Sequence, residues 1–211
     1  MPVAPAGLVR AELDRQATVW AERGHPVSPD HLAALQSVLG SMEGRGSIEG
    51  AEAGDTREHV PFVLVVQSAV RPAGEAMATT ELGGRHGSVN RHACDIDEFQ
   101  PIESVGVQES DVYLVIDVER GSEFCGTTPE SAVATLAGRG RTPLTVAEGL
   151  ARLTVRPDVL EKNRCFSLAG SRLGDRRVPA IWISKRAPHL GWCFAGTPHS
   201  WLGVASAATR R

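Results

Sequence analysis

The chain is predicted to fold as an α+β protein, with an N-terminal helical hairpin packed on a mixed, mainly antiparallel sheet that carries two or three further helices. Three observations predict it. Two stretches with helical apolar spacing open the 211 residues, β-rich runs alternate with capped helix starts in the remainder, and no repeat of solenoid period is present. The expected organisation is a helical segment over residues 1–40, a flexible glycine-rich linker or loop over 41–59, and a main domain over 60–211. A chain that is 42% hydrophobic and 22% charged has globular composition. Its 22 Lys and Arg against 25 Asp and Glu give a net charge of −3, which lacks the basic excess of a general nucleic-acid binder.

Val9, Leu13, Ala17 and Trp20 recur on one face of the first helix, which Gly24 stops. Ser28-Pro29-Asp30 starts the second helix, because serine caps free N–H groups and proline at the first position gives up none that was needed. Leu32, Leu35 and Leu39 continue it. Packing on the main body is the first expectation for this hairpin, and a homodimer through the same helices is the alternative. Gly40, Gly44, Gly46, Gly50 and Gly54 then mark a segment with little apolar surface and much backbone entropy to lose.

Val60 to Gln67 is a continuous apolar run, as in a strand buried on both faces, whereas Asp111 to Glu119 alternates like a strand with one apolar face. Thr128-Pro129-Glu130 begins a helix that ends at Gly138 or Gly140, and Thr145 with Glu148 has the spacing of a capping box. Pro157 forbids helix beyond the turn at Arg156 to Asp158. Val178 to Ser184 is a strand whose start Pro179 assigns to a sheet edge, with Leu190 to Ala195 as its hairpin partner. Gly196 to Gly203 is expected to close the chain in tight turns.

The chemistry concentrates in Arg91 to Phe99, displayed after the glycine-rich run Gly83 to Asn90. His92, Cys94, Cys193 and His199 have the donor types of a zinc site, although no C-x-x-C or H-E-x-x-H is present. Cys94 beside His92 has the makings of a thiol activated by the imidazole, and in the metal version Asp97 or Glu98 would serve as base for a bound water. Gly83, Gly84 and Gly87 free backbone N–H groups to face an anion that Arg85, Arg91 and Arg172 would hold. Trp192 and Trp201 would line the pocket. Against each stands an ordinary reading: buried core cysteines, surface carboxylates, glycines making turns. Neither a P-loop nor a G-x-G-x-x-G fingerprint occurs, so no nucleotide cofactor is expected.

The N-terminal residues have no apolar h-region, and no run approaches a membrane span, so a cytoplasmic chain with reduced cysteines and no membrane partner is expected. Glu81-Leu82-Gly83-Gly84-Arg85, Arg91 to Asp97, Leu144 to Leu150, Arg177 to Ser184 and Leu190-Gly191-Trp192-Cys193 resemble an uncharacterised, chiefly actinobacterial family catalogued as a domain of unknown function. The resemblance runs from about Pro61 to Ser206 and implies one domain, with no activity to transfer. Two functional readings follow. The first is a small enzyme acting on an anionic small molecule, with a metal- or thiol-centred pocket joining the 83–98 and 190–201 segments; the second is a non-enzymatic ligand- or partner-binding protein with buried cysteines or a structural zinc.

Overall fold

The structure is a computed structural model that describes residues 6–43, 57–90 and 95–211. Its helices are α1 (Ala6–Glu22), α2 (Pro29–Glu43), α3 (Ala73–Thr79), α4 (Pro129–Gly138) and α5 (Val146–Val155). The strands are β1 (His59–Val66), β2 (Glu81–Leu82), β3 (Arg85–His86), β4 (Ser88–Val89), β5 (Gln100–Pro101), β6 (Val112–Glu119), β7 (Thr142–Pro143), β8 (Cys165–Ser167), β9 (Ser171–Arg172), β10 (Arg177–Ser184), β11 (Ala187–Phe194), β12 (Leu202–Val204) and β13 (Ser206–Arg210). They form an antiparallel sheet in the order β1-β6-β13-β7 and a mixed sheet in the order β12-β8-β10-β11-β4, together with two small ribbons, β2-β3 and β5-β9. The fold is α+β, and one apolar core runs from Leu13 and Trp20 of the first helix through Leu64, Leu114 and Leu150 to Phe166 and Ile181.

The N-terminal helices complete the first sheet. β1 is an edge strand, and an edge leaves main-chain groups that must find partners if they are buried. α1 supplies them. Leu64 N donates to Gln16 Oε1 (2.7 Å), Gln16 Nε2 donates to Phe62 O (3.2 Å) and Trp20 Nε1 donates to Leu64 O (3.0 Å), so one amide side chain imitates a neighbouring strand. Gln16 is 1% exposed, which shuts water out as a replacement. Gln16→Ala is therefore expected to lower stability by about 3 kcal/mol, the cost of leaving one donor and one acceptor buried and unpaired. In urea titrations the midpoint should fall with an unchanged slope, and a wild-type midpoint would disprove the edge-sealing role.

Several sequence expectations need correction. Pro179 does not mark an edge: β10 is interior, paired with β11 on one side and β8 on the other. A strand residue points its N and O the same way, and Pro179 O accepts from Leu168 N (2.7 Å), just beyond β8. The missing N–H therefore faces a position where the β8 ladder has already ended. The chain also does not close in turns alone. After a turn around Gly196 to Ser200 it forms β12 and then β13, which enters the first sheet between β6 and β7. In the segment expected to be a linker, α2 runs on to Glu43 and β1 begins at His59; residues 44–56 lie outside the described residues.

The capping box is present as predicted, with Glu148 N donating to Thr145 Oγ1 (3.2 Å) and Thr145 N to Glu148 Oε2 (2.9 Å). β10 and β11 are joined by a two-residue turn, Lys185-Arg186, in which both residues have positive φ (51° and 66°). Such a turn matches the twist of the flanking strands and normally takes glycine or asparagine. Here it presents two cations at the tip of the hairpin.

Candidate functional site

The glycine-rich run is a hairpin. Leu82 pairs with Arg85 across Gly83 and Gly84, whose φ values of 56° and 75° are those of a tight two-residue turn. These glycines thus shape a turn, as the ordinary reading had it. Gly87 is tied by packing, since a Cβ there would stand 2.2 Å from Met77 O and 2.4 Å from Thr80 Oγ1. The hairpin directs β4 alongside β11 in parallel, with Ser88 opposite His189 and Val89 opposite Leu190. Asn90 N then donates to Leu190 O (2.8 Å).

This register brings Ser88 Oγ to 2.8 Å from His189 Nδ1, across 101 positions of sequence. The pair lies in a hollow of about 440 Å³ lined by Arg85, His86, Ser88, Ser184, Lys185, Ala187 and His189. Every ionisable residue in that lining is a base. Burial, then the charge of Lys185, hold the His189 imidazole below its ordinary range, which favours the neutral ring at pH 7. A neutral ring with Nδ1 unprotonated can accept the Ser88 hydroxyl proton. Trp182 fixes the ring from the side, edge-on at 4.9 Å between centroids. It lies over Gly191, where a Cβ would come within 2.3 Å of the indole.

Asp97 belongs to a different place. It lines two adjoining hollows that also share Pro72 and Ile96: one of about 380 Å³ reaching Arg71, Thr145 and Ser171, the other of about 650 Å³ reaching Glu75, Asn90 and Asp95. Its Oδ1 accepts from the N–H groups of Ala73 and Gly74 at the start of α3, so this carboxylate has a structural task. Asp95 accepts from Asp97 N (3.0 Å) and closes the 3₁₀ turn Ile96–Glu98. Glu98 is exposed and lines neither hollow. Arg91, His92 and Cys94 lie outside the described residues, and the residues on either side of that gap, Asn90 and Asp95, both line the larger hollow.

The remaining predicted residues are dispersed. Arg172 folds its guanidinium onto the carbonyls of Ala169 (2.5 Å) and Ser171 (2.9 Å), away from the Arg85 hollow that it was expected to share. Cys193 is 8% exposed, and burial pushes its thiol up to about 11, so it is protonated at neutral pH. Trp192 pairs with Pro179 and Trp182 with His189, which puts the two indoles on opposite faces of the β10–β11 hairpin. Trp192 lies instead under the Arg177 guanidinium, 5.4 Å from CZ to ring centroid. Trp201 packs on Trp182, the indole that holds His189, at 6.2 Å between centroids, and has His199 beside it at 5.4 Å, but neither lines the Arg85 hollow. Among the described residues no three His, Cys, Asp or Glu side chains converge as a metal would require. From the C-terminal hairpin the Arg85 hollow takes Ser184, Lys185, Ala187 and His189, and none of residues 190–201. Sequence reasoning missed Ser88, Lys185 and His189, and only the hairpin prediction hinted at the last two.

The fold is that of a small α+β protein in which Ser88 and His189 meet on neighbouring strands at the margin of a mixed sheet. The chain belongs to DUF5701, a family of unknown function, which matches residues 25–211. The match takes in α2 but not α1, and so extends beyond the span carried by the short motifs. No curated protein and no solved structure matches the chain. Among the described residues no helix is long and apolar enough to cross a membrane.

Proposed function

We propose that the protein binds a small anionic molecule in the Arg85–His189 hollow and acts on it through Ser88, with His189 as general base. The observation that carries this reading is the 2.8 Å Ser88–His189 hydrogen bond inside a lining whose ionisable members are all basic. Arg85 and Lys185 would hold the carboxylate or phosphate of the ligand. Ser88 Oγ would bond to an electrophilic carbonyl carbon or phosphorus as its proton passes to His189 Nδ1. The leaving group would depart with that proton, and water would release the product by the reverse relay.

A fluorophosphonate probe tests the reading, since it phosphonylates a serine only when a base has activated it. The expected outcome is labelling of Ser88 in the wild type, none in Ser88→Ala, and a rate about 100-fold lower in His189→Gln. Because His189 is held below its ordinary range, protonation should quench labelling at a lower pH than it would for a free imidazole. The imidazolium that forms should at the same time strengthen competition by inorganic phosphate. Arg85→Ala with Lys185→Ala should abolish that competition. A wild type that neither labels at Ser88 nor binds phosphate at this hollow would end the proposal.

A second reading keeps the metal. Asn90 and Asp95 both line the larger hollow and bracket His92 and Cys94 in sequence, and a metal there would need those two side chains, because the described carboxylates do not converge on one point. About one equivalent of zinc in protein purified without an affinity tag would favour it over the serine.

A further inference from the structure

Arg120 and Arg152 are both 0% exposed, and both reach Glu58. Their partners are unequal. Arg120 donates from Nε to Glu58 Oε2 (3.0 Å) and Ser122 Oγ (3.1 Å), and from Nη1 to Glu161 Oε2 (2.8 Å) and Val159 O (2.9 Å). Arg152, in the last turn of α5, donates only from Nη2, and only to the main-chain carbonyls of Arg57 (3.1 Å) and Glu58 (3.0 Å). Among the described residues, three buried guanidinium nitrogens have no hydrogen-bond partner: Arg120 Nη2, Arg152 Nε and Arg152 Nη1.

The local carboxylates are committed elsewhere. Glu58 Oε1 accepts from Ser122 N (2.8 Å), its Oε2 from Arg120 and the Ser122 hydroxyl (2.6 Å), and Glu161 Oε1 from Arg57 (2.6 Å). Glu148, on the same helix as Arg152, is bound to Arg210. Two buried positive charges therefore act on each other, and among the described residues no carboxylate is in hydrogen-bond contact with Arg152. Complete burial, opposed by Glu58 and reinforced by Arg120, pulls Arg152 down to about 9, and the guanidinium is still charged at neutral pH. A buried cation with unmet donors calls for an acceptor that brings negative charge. The Phe166 ring below Arg152, 6.0 Å from CZ to centroid, supplies only a weak one.

We infer that Arg120 and Arg152 together hold a small inorganic anion of chloride's size, taken by the three unpartnered nitrogens. Bromide reports such a site directly. In crystals of the full chain grown or soaked in sodium bromide, an anomalous peak is expected within about 3.5 Å of Arg152 Nη1. Because the anion binds only the folded state, the melting temperature should be about 5 °C higher in sodium chloride than in sodium gluconate of equal ionic strength, gluconate being too large to enter. Arg152→Met keeps a flexible side chain over Phe166 and removes the second cation, so it should erase the difference between the salts. Absence of bromide at the pair overturns the inference whatever the melting curves do, and so does a folded Arg152→Met protein that still distinguishes the two salts. Should that variant not fold, the wild-type bromide map decides.

Discussion

Replacing Glu148 with alanine is expected to cost about 3–5 kcal/mol of stability, the range for breaking a buried ion pair from one side. Glu148 is 1% exposed and Arg210 4%. Their contact is bidentate, with Arg210 Nε on Oε1 (2.7 Å) and Nη2 on Oε2 (2.8 Å). The same carboxylate accepts Thr145 N (2.9 Å) and the Tyr113 hydroxyl (3.3 Å), so it joins the start of α5 to β6 and β13. Burial, and then the Glu148 charge, push the Tyr113 phenol far above its ordinary range, which keeps the hydroxyl a donor at every accessible pH. Alanine would leave Thr145 N and the Tyr113 hydroxyl without this acceptor, and would leave Arg210 with only Thr142 Oγ1 and Pro143 O. Arg210→Met in the same background should recover much of the loss, because removing both charges also removes the stranded one. Urea titration of the four proteins of that cycle measures it. Additive losses in the double variant would refute the coupling.

Much of the fold is legible where the signal is local. Val9, Leu13, Ala17 and Trp20 share a face because three or four residues span one helical turn, and Thr145 and Glu148 meet because a capping box spans three positions. What lies beyond such spacing is silent. Nothing in the neighbourhood of Thr145 announces that Arg210, 62 positions from Glu148, completes its carboxylate. Nothing near Ser88 announces His189, because a parallel pairing is set by tertiary packing rather than by a turn. Gln16 reads as one polar residue on a helix, although it works as a piece of strand edge. Pro179 was misread for a related reason, since whether a lost N–H matters depends on which neighbour it would have faced. Clustering of reactive residue types drew attention to Arg91 through Phe99, yet within it Asp97 secures a helix start and Glu98 faces solvent. Reactive type is a property of sequence; the company a side chain keeps is a property of the fold.

Gly121→Ala and Gly126→Ala are chemically the same change, and they should differ widely in cost. Both glycines have a left-handed backbone, with φ of 75° and 86°, for which alanine costs about 1–2 kcal/mol in either place. They differ in what a methyl group would meet. At Gly126 nothing lies within 4 Å, so the cost stops there. At Gly121 the Cβ would stand 2.0 Å from Val204 O and 2.7 Å from Val204 C, backbone atoms of β12 that no rotamer change can move. The approach is mutual, since a Cβ on Gly203 would come within 2.3 Å of Gly121 O. This loop carries the turn that begins at Ser122 and follows directly on Arg120, so displacing it would also disturb the Glu58 cluster. Gly121→Ala is accordingly expected to lose more than about 4 kcal/mol, a large part of the stability of an ordinary domain. Most of that protein should be recovered unfolded or insoluble, whereas Gly126→Ala should express normally and shift its urea midpoint only slightly. Equal midpoints for the two variants would mean that the loop and β12 separate easily, and that the close backbone packing adds little to the fold.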